Sequence, residues 1–485
     1  MLNSRAFMRW VDLAVVLLYL IGITWFGARF KEGQKTLKDY FLGGRNAPWW
    51  AIGFSIVSAE TSTLTVIGTP ALAFNGNLGF LQVVFGYLLA RLVISTLFLP
   101  QYFKGELFTA YELMQRRFGQ RIRKLTAGCF LVLRALAEGV RVFAISIVIQ
   151  IILGTGEVAS IVLIVALTLF YTFEGGMTAV IWTDVVQMFL YVAGAVLSFF
   201  VILDQVPGGW NEVVRVGTEF NKFQVINLHF AWDSAYNVWA GVIGGCFLTT
   251  ASHGTEQLMV QRLLAAKDLG ESRKALMASW LVIAFQFTLF LLIGVALFVY
   301  YRSAGIAPPV VADQIYPAFI WKHLPPVVAG LVMAAILAAA MSNLSAALNS
   351  LASTTIMDFV KPMTGSRHSE DHYLRLARWA TVAWGLGLFV IGWASTGVKS
   401  VLEAALGIAS IVYGSLLGVF LLGLLTKRAG EVAAMAGMST ALLVMIYVRF
   451  GTPIAWTWHV LIGTSVTFIV GWLFGFVFRQ EKTDA

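Results

Sequence analysis

Several charged side chains of this chain stand inside long apolar runs, where keeping a charge is costly and usually serves a function. Arg134, Glu138 and Arg141 are spaced i, i+4, i+7, which places all three on one face of a helix. A guanidinium can donate two parallel hydrogen bonds to a carboxylate. Glu138 neutralising one arginine would leave the other to receive an anionic solute; the plainer reading is an internal salt-bridge ladder. Glu60 sits in the hydroxyl-rich run Ser55-Ile56-Val57-Ser58-Ala59-Glu60-Thr61-Ser62-Thr63. A pairing of Glu60 with Arg141 and the other arginine of that face is the expectation. Meeting an amine, coordinating a cation or carrying a proton are its alternatives. A second polar run, Thr249-Thr250-Ala251-Ser252-His253-Gly254-Thr255-Glu256-Gln257, follows Gly244-Gly245. His253 reads as a gate, a pH-sensitive group or a packed polar histidine. Asp184 comes early in its apolar run, as a solvated carboxylate would.

The elements that position these groups follow from composition. Of 485 residues, 59% are apolar or aromatic and 12% charged, with mean hydropathy +0.79. Soluble domains carry about 25% charged residues, so disorder, a disulfide scaffold and an ordinary soluble enzyme are excluded. The chain is an all-α polytopic membrane protein, read as one domain over 1–485. Cys129 and Cys246 lie far apart in separate apolar runs and form neither a disulfide framework nor a metal-ligand spacing. The net charge of +9 sits mostly in short loops, so it reports orientation in the lipid bilayer and not a nucleic-acid partner.

Thirteen apolar stretches are expected to cross, near 9–28, 48–74, 79–102, 125–153, 157–172, 179–203, 236–263, 275–301, 326–357, 374–395, 401–426, 431–449 and 457–478. Alternate loops hold twenty-three Lys and Arg against eight on the opposite side. That bias predicts an amino terminus outside and a carboxyl terminus in the cytoplasm, in the plasma membrane or, in a prokaryote, the inner membrane. Arg29, Lys31, Lys35 and Lys38 after the first stretch argue for an uncleaved helix over a signal peptide. Between stretches three and four, Leu107, Tyr111, Met114 and Phe118 recur at helical spacing opposite Arg116 and Arg117, predicting an amphipathic helix on the cytoplasmic surface.

The two polar runs interrupt the second and seventh stretches, five crossings apart. Irregular backbone at membrane depth survives only where it lines a cavity or is buried by protein. Interrupted helices at matching places in two halves point to the substrate and ion sites of a transporter. The halves would be inverted repeats at about 48–203 and 236–426.

Ordered landmarks extend this reading: Asp39-Tyr40-Phe41-Leu42-Gly43-Gly44-Arg45, Gly175-Gly176-Met177-Thr178-Ala179-Val180-Ile181-Trp182-Thr183-Asp184, Gln257 with Gln261-Arg262, Ala338-Ala339-Ala340-Met341-Ser342-Asn343-Leu344-Ser345, and Leu348-Asn349-Ser350. In these the chain resembles the sodium:solute symporter family, over Asp39 to about Arg428. The resemblance implies a LeuT-like core of five plus five helices with one leading and two trailing helices. It also implies symport of Na+, as the coupling ion, with a small solute by alternating access.

By position, the family's common sodium site falls on the carbonyls of Ser58, Thr61 and Ala339 and the hydroxyl of Ser342, with the Asn343 amide where a second hydroxyl is usual. Asp184 and Ser345 match a second sodium site of some members, but Ala346 follows, so an ion exit path is the equal alternative. The solute site implied between crossings 2, 4 and 7 draws on Glu60, Thr65, Tyr87, Glu138, Arg141, Thr249, Ser252 and His253. Val84 and Tyr87 stand where sugar carriers have polar groups, and Ser252-His253 replaces an aromatic gate. A carboxylate, anion or zwitterion is therefore favoured over a hexose, nearer the iodide, vitamin and monocarboxylate branch. The oligomeric state is open, a monomer included. No histidine or carboxylate pattern supplies a catalytic or metal-hydrolase motif, so an enzyme is not expected. A proton-coupled carrier and a non-transporting sensor of the same fold remain as alternatives.

Overall fold

A computed structural model describes residues 2–29, 45–104, 107, 110–171, 177–364, 369–398 and 400–477. Most of Asp39–Arg45 and the Gly175-Gly176 pair lie outside these residues. The described chain is helical, and two single residues, Ala47 and Ala266, form its only β-bridge.

Each of the thirteen stretches contains helix. The leading helix α1 spans Leu2–Ala28. The second stretch is two helices, α2 (Trp49–Glu60) and α3 (Thr63–Asn75), bent by 61°. The third is α4 (Leu81–Val93), continuing through a π-helical turn, Ile94–Phe98. There follow α5 (Ala110–Phe118), α6 (Gln120–Leu153), α7 (Glu157–Tyr171), α8 (Met177–Gln205) and α9 (Gly209–Glu219). The seventh stretch is again divided, into α10 (Val238–Gly254) and α11 (Gln257–Leu264). The rest are α12 (Leu269–Ser303), α13 (Ile315–His323), α14 (Val328–Thr354), α15 (Glu370–Ala394), α16 (Val401–Leu425), α17 (Glu431–Gly451) and α18 (Trp456–Val477). By length and hydropathy nine described helices can cross a membrane, ten with the bent pair, so that measure does not fix the count at thirteen. Helices such as Glu157–Tyr171 and Val238–Gly254 are too short to pass it.

Helices α2 and α3 pack on α12, α2 also packs on α8, and α4 packs closely on α10. The α4–α10 seam needs glycine. A Cβ on Gly86 would stand 2.4 Å from the Val242 carbonyl oxygen, and one on Gly245 would stand 2.4 Å from that of Val83. With no side chain between them the two backbones touch, the usual way membrane helices gain packing when lipid offers no hydrophobic drive.

Helix α5 corrects one expectation. Leu107, Tyr111, Met114 and Phe118 are all buried by protein, against α6, α11 and α16, so its apolar face does not rest on lipid. The Ala110 N–H donates to Gln257 Oε1 at 2.8 Å, and Arg117 donates to the Gly423 and Thr426 carbonyls, binding the helix to the bundle.

Asp313 lies in a 3-10 turn between α12 and α13, outside the crossings. Its Oδ2 accepts the Val401 N–H at the start of α16 at 3.1 Å, while Oδ1 is buried without a partner among the described residues. Burial pushes its carboxyl up to about 6; the Val401 hydrogen bond opposes this and Glu403 reinforces it. The folded chain therefore holds this proton more tightly than the unfolded chain. Stability should fall as pH rises from about 4 to 6 and then level off. Asp313→Asn should remove that slope from melting curves taken across this range.

Candidate functional site

The break between α2 and α3 is set by local competition. Ser58, Thr61, Ser62 and Thr63 offer hydroxyls that rival helical hydrogen bonds. Thr61 and Ser62 leave helical geometry, at φ −91°, ψ 94° and φ −96°, ψ 175°. The carbonyls of Ser58, Ala59 and Thr61 then accept no backbone hydrogen bond among the described residues. Such freed carbonyls are the hard oxygen donors that sodium takes. Ser58 and Thr61 are both buried, and Gln286 of α12 donates to Thr61 Oγ1 at 2.5 Å. Among the described residues, the amide oxygen of Gln286 and the Thr63 hydroxyl are buried without hydrogen-bond partners, and the Tyr191 hydroxyl stands against the side chains of Thr61 and Ser58, so this part of the core is rich in oxygen ligands. Asn343 is buried and Ser345 half-buried on α14. The backbone of Ala339 and Ser342 is helical there, but their side chains lie outside the described residues.

Three charge clusters surround the two breaks. At the end of α2, Glu60 Oε2 is 2.7 Å from Arg91 Nη2 on α4 and 3.3 Å from His253 Nε2 on α10. This corrects the expected pairing of Glu60 with the arginines of α6. Arg91 also donates to Ser279 Oγ on α12 at 3.2 Å and to the Tyr87 carbonyl. One guanidinium thus joins α2, α4 and α12, while His253 adds α10. Ser252 Oγ is 2.8 Å from His253 Nδ1 and donates to the Thr249 carbonyl, and Thr65 Oγ1 donates to the Glu60 carbonyl at 3.5 Å. Glu60, Thr65, Thr249, Ser252 and His253 are therefore brought together. Tyr87 is buried and contributes its carbonyl to Arg91.

The second cluster follows α6. Glu138 Oε1 accepts from Arg134 Nη1 at 2.8 Å and from Arg141 Nη1. Arg134 also pairs with Glu256, which stands in the break between α10 and α11, and Tyr413 of α16 donates to the other Glu256 oxygen at 2.5 Å. The ladder is real, but it runs on into a second broken helix.

The third cluster corrects the solvated reading of Asp184. That carboxylate is buried; Ser55 donates to it at 2.6 Å and Arg262 of α11 at 3.1 Å, and Arg262 Nε also donates to Ser55 Oγ at 3.0 Å.

Arg91, Ser55, Arg262, Glu256, Tyr413 and Gln286 were not singled out as site residues from sequence. Charge balance was the available signal. In the three clusters four arginines meet four carboxylates, so every intramembrane arginine needs a named acid and every acid a named base.

A family model described as "Sodium:solute symporter family" matches residues 40–441. A sodium/sialic acid symporter of Proteus mirabilis is 29% identical over 97% of this chain and 96% of its own length. A second, from Aliivibrio fischeri, is 30% identical over 96% and 92%. The human sodium/iodide cotransporter is 26% identical over 91% and 69%. A solved structure of a substrate-bound, outward-open Na+-coupled sialic acid symporter superposes with TM-score 0.88 at 28% identity, covering 97% of this chain and 99% of that one. The fold is therefore LeuT-like, as the order of landmarks implied, and the chain belongs to the sodium:solute symporter family, a sodium-coupled symporter of a small solute working by alternating access.

Proposed function

We propose that the solute is a small anion, above all a carboxylate or a zwitterion, received by Arg141 between the broken crossings. Arg141 carries the proposal. Its side chain is 23% exposed, whereas Arg91, Arg134 and Arg262 are between 0% and 3% exposed; its Nε, like that of Arg134, has no hydrogen-bond partner among the described residues. Glu138 holds the same guanidinium from one side, orienting the remaining donors. The named cargoes of several relatives, sialic acid, iodide and monocarboxylates, are anions, which supports the same class. Glu60, Thr65, Thr249, Ser252 and His253 would line the remainder of the site. Arg141→Gln should raise KM for the transported acid about tenfold to a hundredfold, the worth of a charged hydrogen bond, in sodium-driven uptake by proteoliposomes.

Sodium would bind the carbonyls of Ser58, Thr61 and Ala339 and the Ser342 hydroxyl, with Asn343 beside them, and would fix the geometry of the α2–α3 break in the outward-open state. Solute then binds, the bundle rocks, and both leave on the cytoplasmic side. Asp184 and Ser345 would lie on the exit path, since Arg262 already compensates the Asp184 charge. The loop charges support an amino terminus outside and a carboxyl terminus in the cytoplasm, and the paired breaks support inverted repeats near 48–203 and 236–426. The test is the melting temperature of purified protein in sodium chloride against choline chloride at equal ionic strength. Sodium at a hundred times its Kd adds about 2.7 kcal/mol. Ser342→Ala should shift that response to higher sodium. No sodium response, with a rise on acidification instead, would replace sodium coupling by proton coupling.

A further inference from the structure

The segment between α9 and α10 leaves apolar side chains uncovered at alternate positions. Ile226, Leu228, Phe230 and Trp232 are 57%, 70%, 47% and 52% exposed, while Asn227 and Ala231 between them are half-buried. This is not a slack loop. Its backbone is fastened at both sides: the Asn227 carbonyl accepts from Val238 N at 2.8 Å, and Asn227 N donates to Gln82 Oε1 at 3.1 Å. The Leu228 carbonyl accepts from the Trp239 indole at 3.2 Å, and the Trp232 carbonyl accepts from Ala455 N at 2.8 Å. Phe230, Trp232 and Trp458 pack ring against ring at centroid distances of 4.9–5.9 Å. A segment fastened by these bonds that still presents four large apolar side chains calls for a partner of its own.

The adjoining helix identifies that partner. Trp239 and Ile243, one turn apart on α10, are exposed on the same face of this half of the broken seventh crossing, the face a bilayer would cover. The uncovered side chains of 226–232 continue that face past the helix end, while His229 and Asp233 stand exposed among them. Aromatic residues collect where acyl chains give way to headgroups, and amphipathic segments lie there with one face in each phase. We infer that residues 226–232 are an interfacial anchor, with Ile226, Leu228, Phe230 and Trp232 set into the headgroup–acyl boundary of the leaflet on the side opposite α5. The ligand is phospholipid. Because the anchor is hydrogen-bonded to the starts of both α10 and α18, it holds the entry of the broken seventh crossing at a fixed depth. Movement at the Thr255–Glu256 break then falls to α11.

The test uses the unaltered chain in vesicles of phosphatidylcholine and phosphatidylglycerol doped with a phospholipid carrying a diazirine near its headgroup. After photolysis, labelled residues are read by mass spectrometry. Val310, which is fully exposed in the loop between α12 and α13, serves as the water-facing control. Labelling at 226–232 should match that at Ile243 and exceed that at Val310 several-fold. Labelling no higher than at Val310 would overturn the anchor. So would protection from lipid combined with cross-links between two copies of the chain, which would make the patch a subunit interface. A nitroxide at Leu228→Cys, with Cys129 and Cys246 replaced by Ser, should be more accessible to oxygen than to a water-soluble nickel chelate; the reverse would also overturn the anchor.

Discussion

Arg91→Met should destabilise the protein by about 3–5 kcal/mol, because it leaves the Glu60 carboxylate in the core without its guanidinium. The loss is large because Arg91 is fully buried and serves three helices, through Glu60 at 2.7 Å, Ser279 at 3.2 Å and the Tyr87 carbonyl. The neighbouring His253 contact is longer, at 3.3 Å, and carries charge only when the ring is protonated. Glu60→Gln alone should also destabilise, since Arg91 then keeps its charge without a counter-ion. The double variant should recover a large part of either loss, as replacing both members of a buried pair commonly does. Unfolding midpoints of the four proteins in detergent give the coupling directly. Single variants as stable as the parent would show that the pair makes no net contribution.

Glu256→Gln should weaken both stability and solute affinity. Glu256 accepts from Arg134 and from the Tyr413 hydroxyl in the break between α10 and α11. With its charge gone, the buried Arg134 has only Glu138, which Arg141 already shares. Glu138 would be drawn toward Arg134, and Arg141, the guanidinium proposed to meet the solute, would lose its support. Truncating one partner of a buried, hydrogen-bonded charge pair costs about 2–5 kcal/mol, much of it from the charge left behind. The expected result is a lower melting temperature together with a raised KM for uptake. Pairing it with Arg134→Met, which removes the stranded charge, should restore the melting temperature and part of the KM. A purely structural role for Glu256 would restore the first and leave KM at its parental value throughout.

Much of this architecture was legible in the sequence because it follows from one-dimensional signals. Hydropathy outlines the apolar stretches that become helices, and hydroxyl runs around Ser58–Thr63 and Thr249–Gln257 mark the breaks, since short polar side chains compete with the helical ladder wherever they cluster. The ladder on α6 was readable for the same reason: Arg134, Glu138 and Arg141 lie within two turns of one helix. The partners of Glu60 and Asp184 were not readable. Each pairing joins helices far apart in sequence, so it depends on how each helix is rotated about its axis. Periodicity constrains that rotation only loosely in crossings that are apolar all round. Helix α5 failed for a different reason. A stripe of Leu107, Tyr111, Met114 and Phe118 fits a lipid surface and a protein surface equally well, and only the packing of α6 and α16 decides between them.

The ion pairs also impose an order on biosynthesis. Glu60 and Arg91 emerge 31 residues apart, so the second and third crossings can enter the bilayer as one hairpin with their charges already matched. Arg134 waits longer: Glu138 comes with it but is shared with Arg141, and Glu256 follows 122 residues later. During that interval Arg134 and Arg141 share one carboxylate, so α6 carries an uncompensated guanidinium. A nascent chain truncated before Glu256 should therefore integrate less stably than one that includes it.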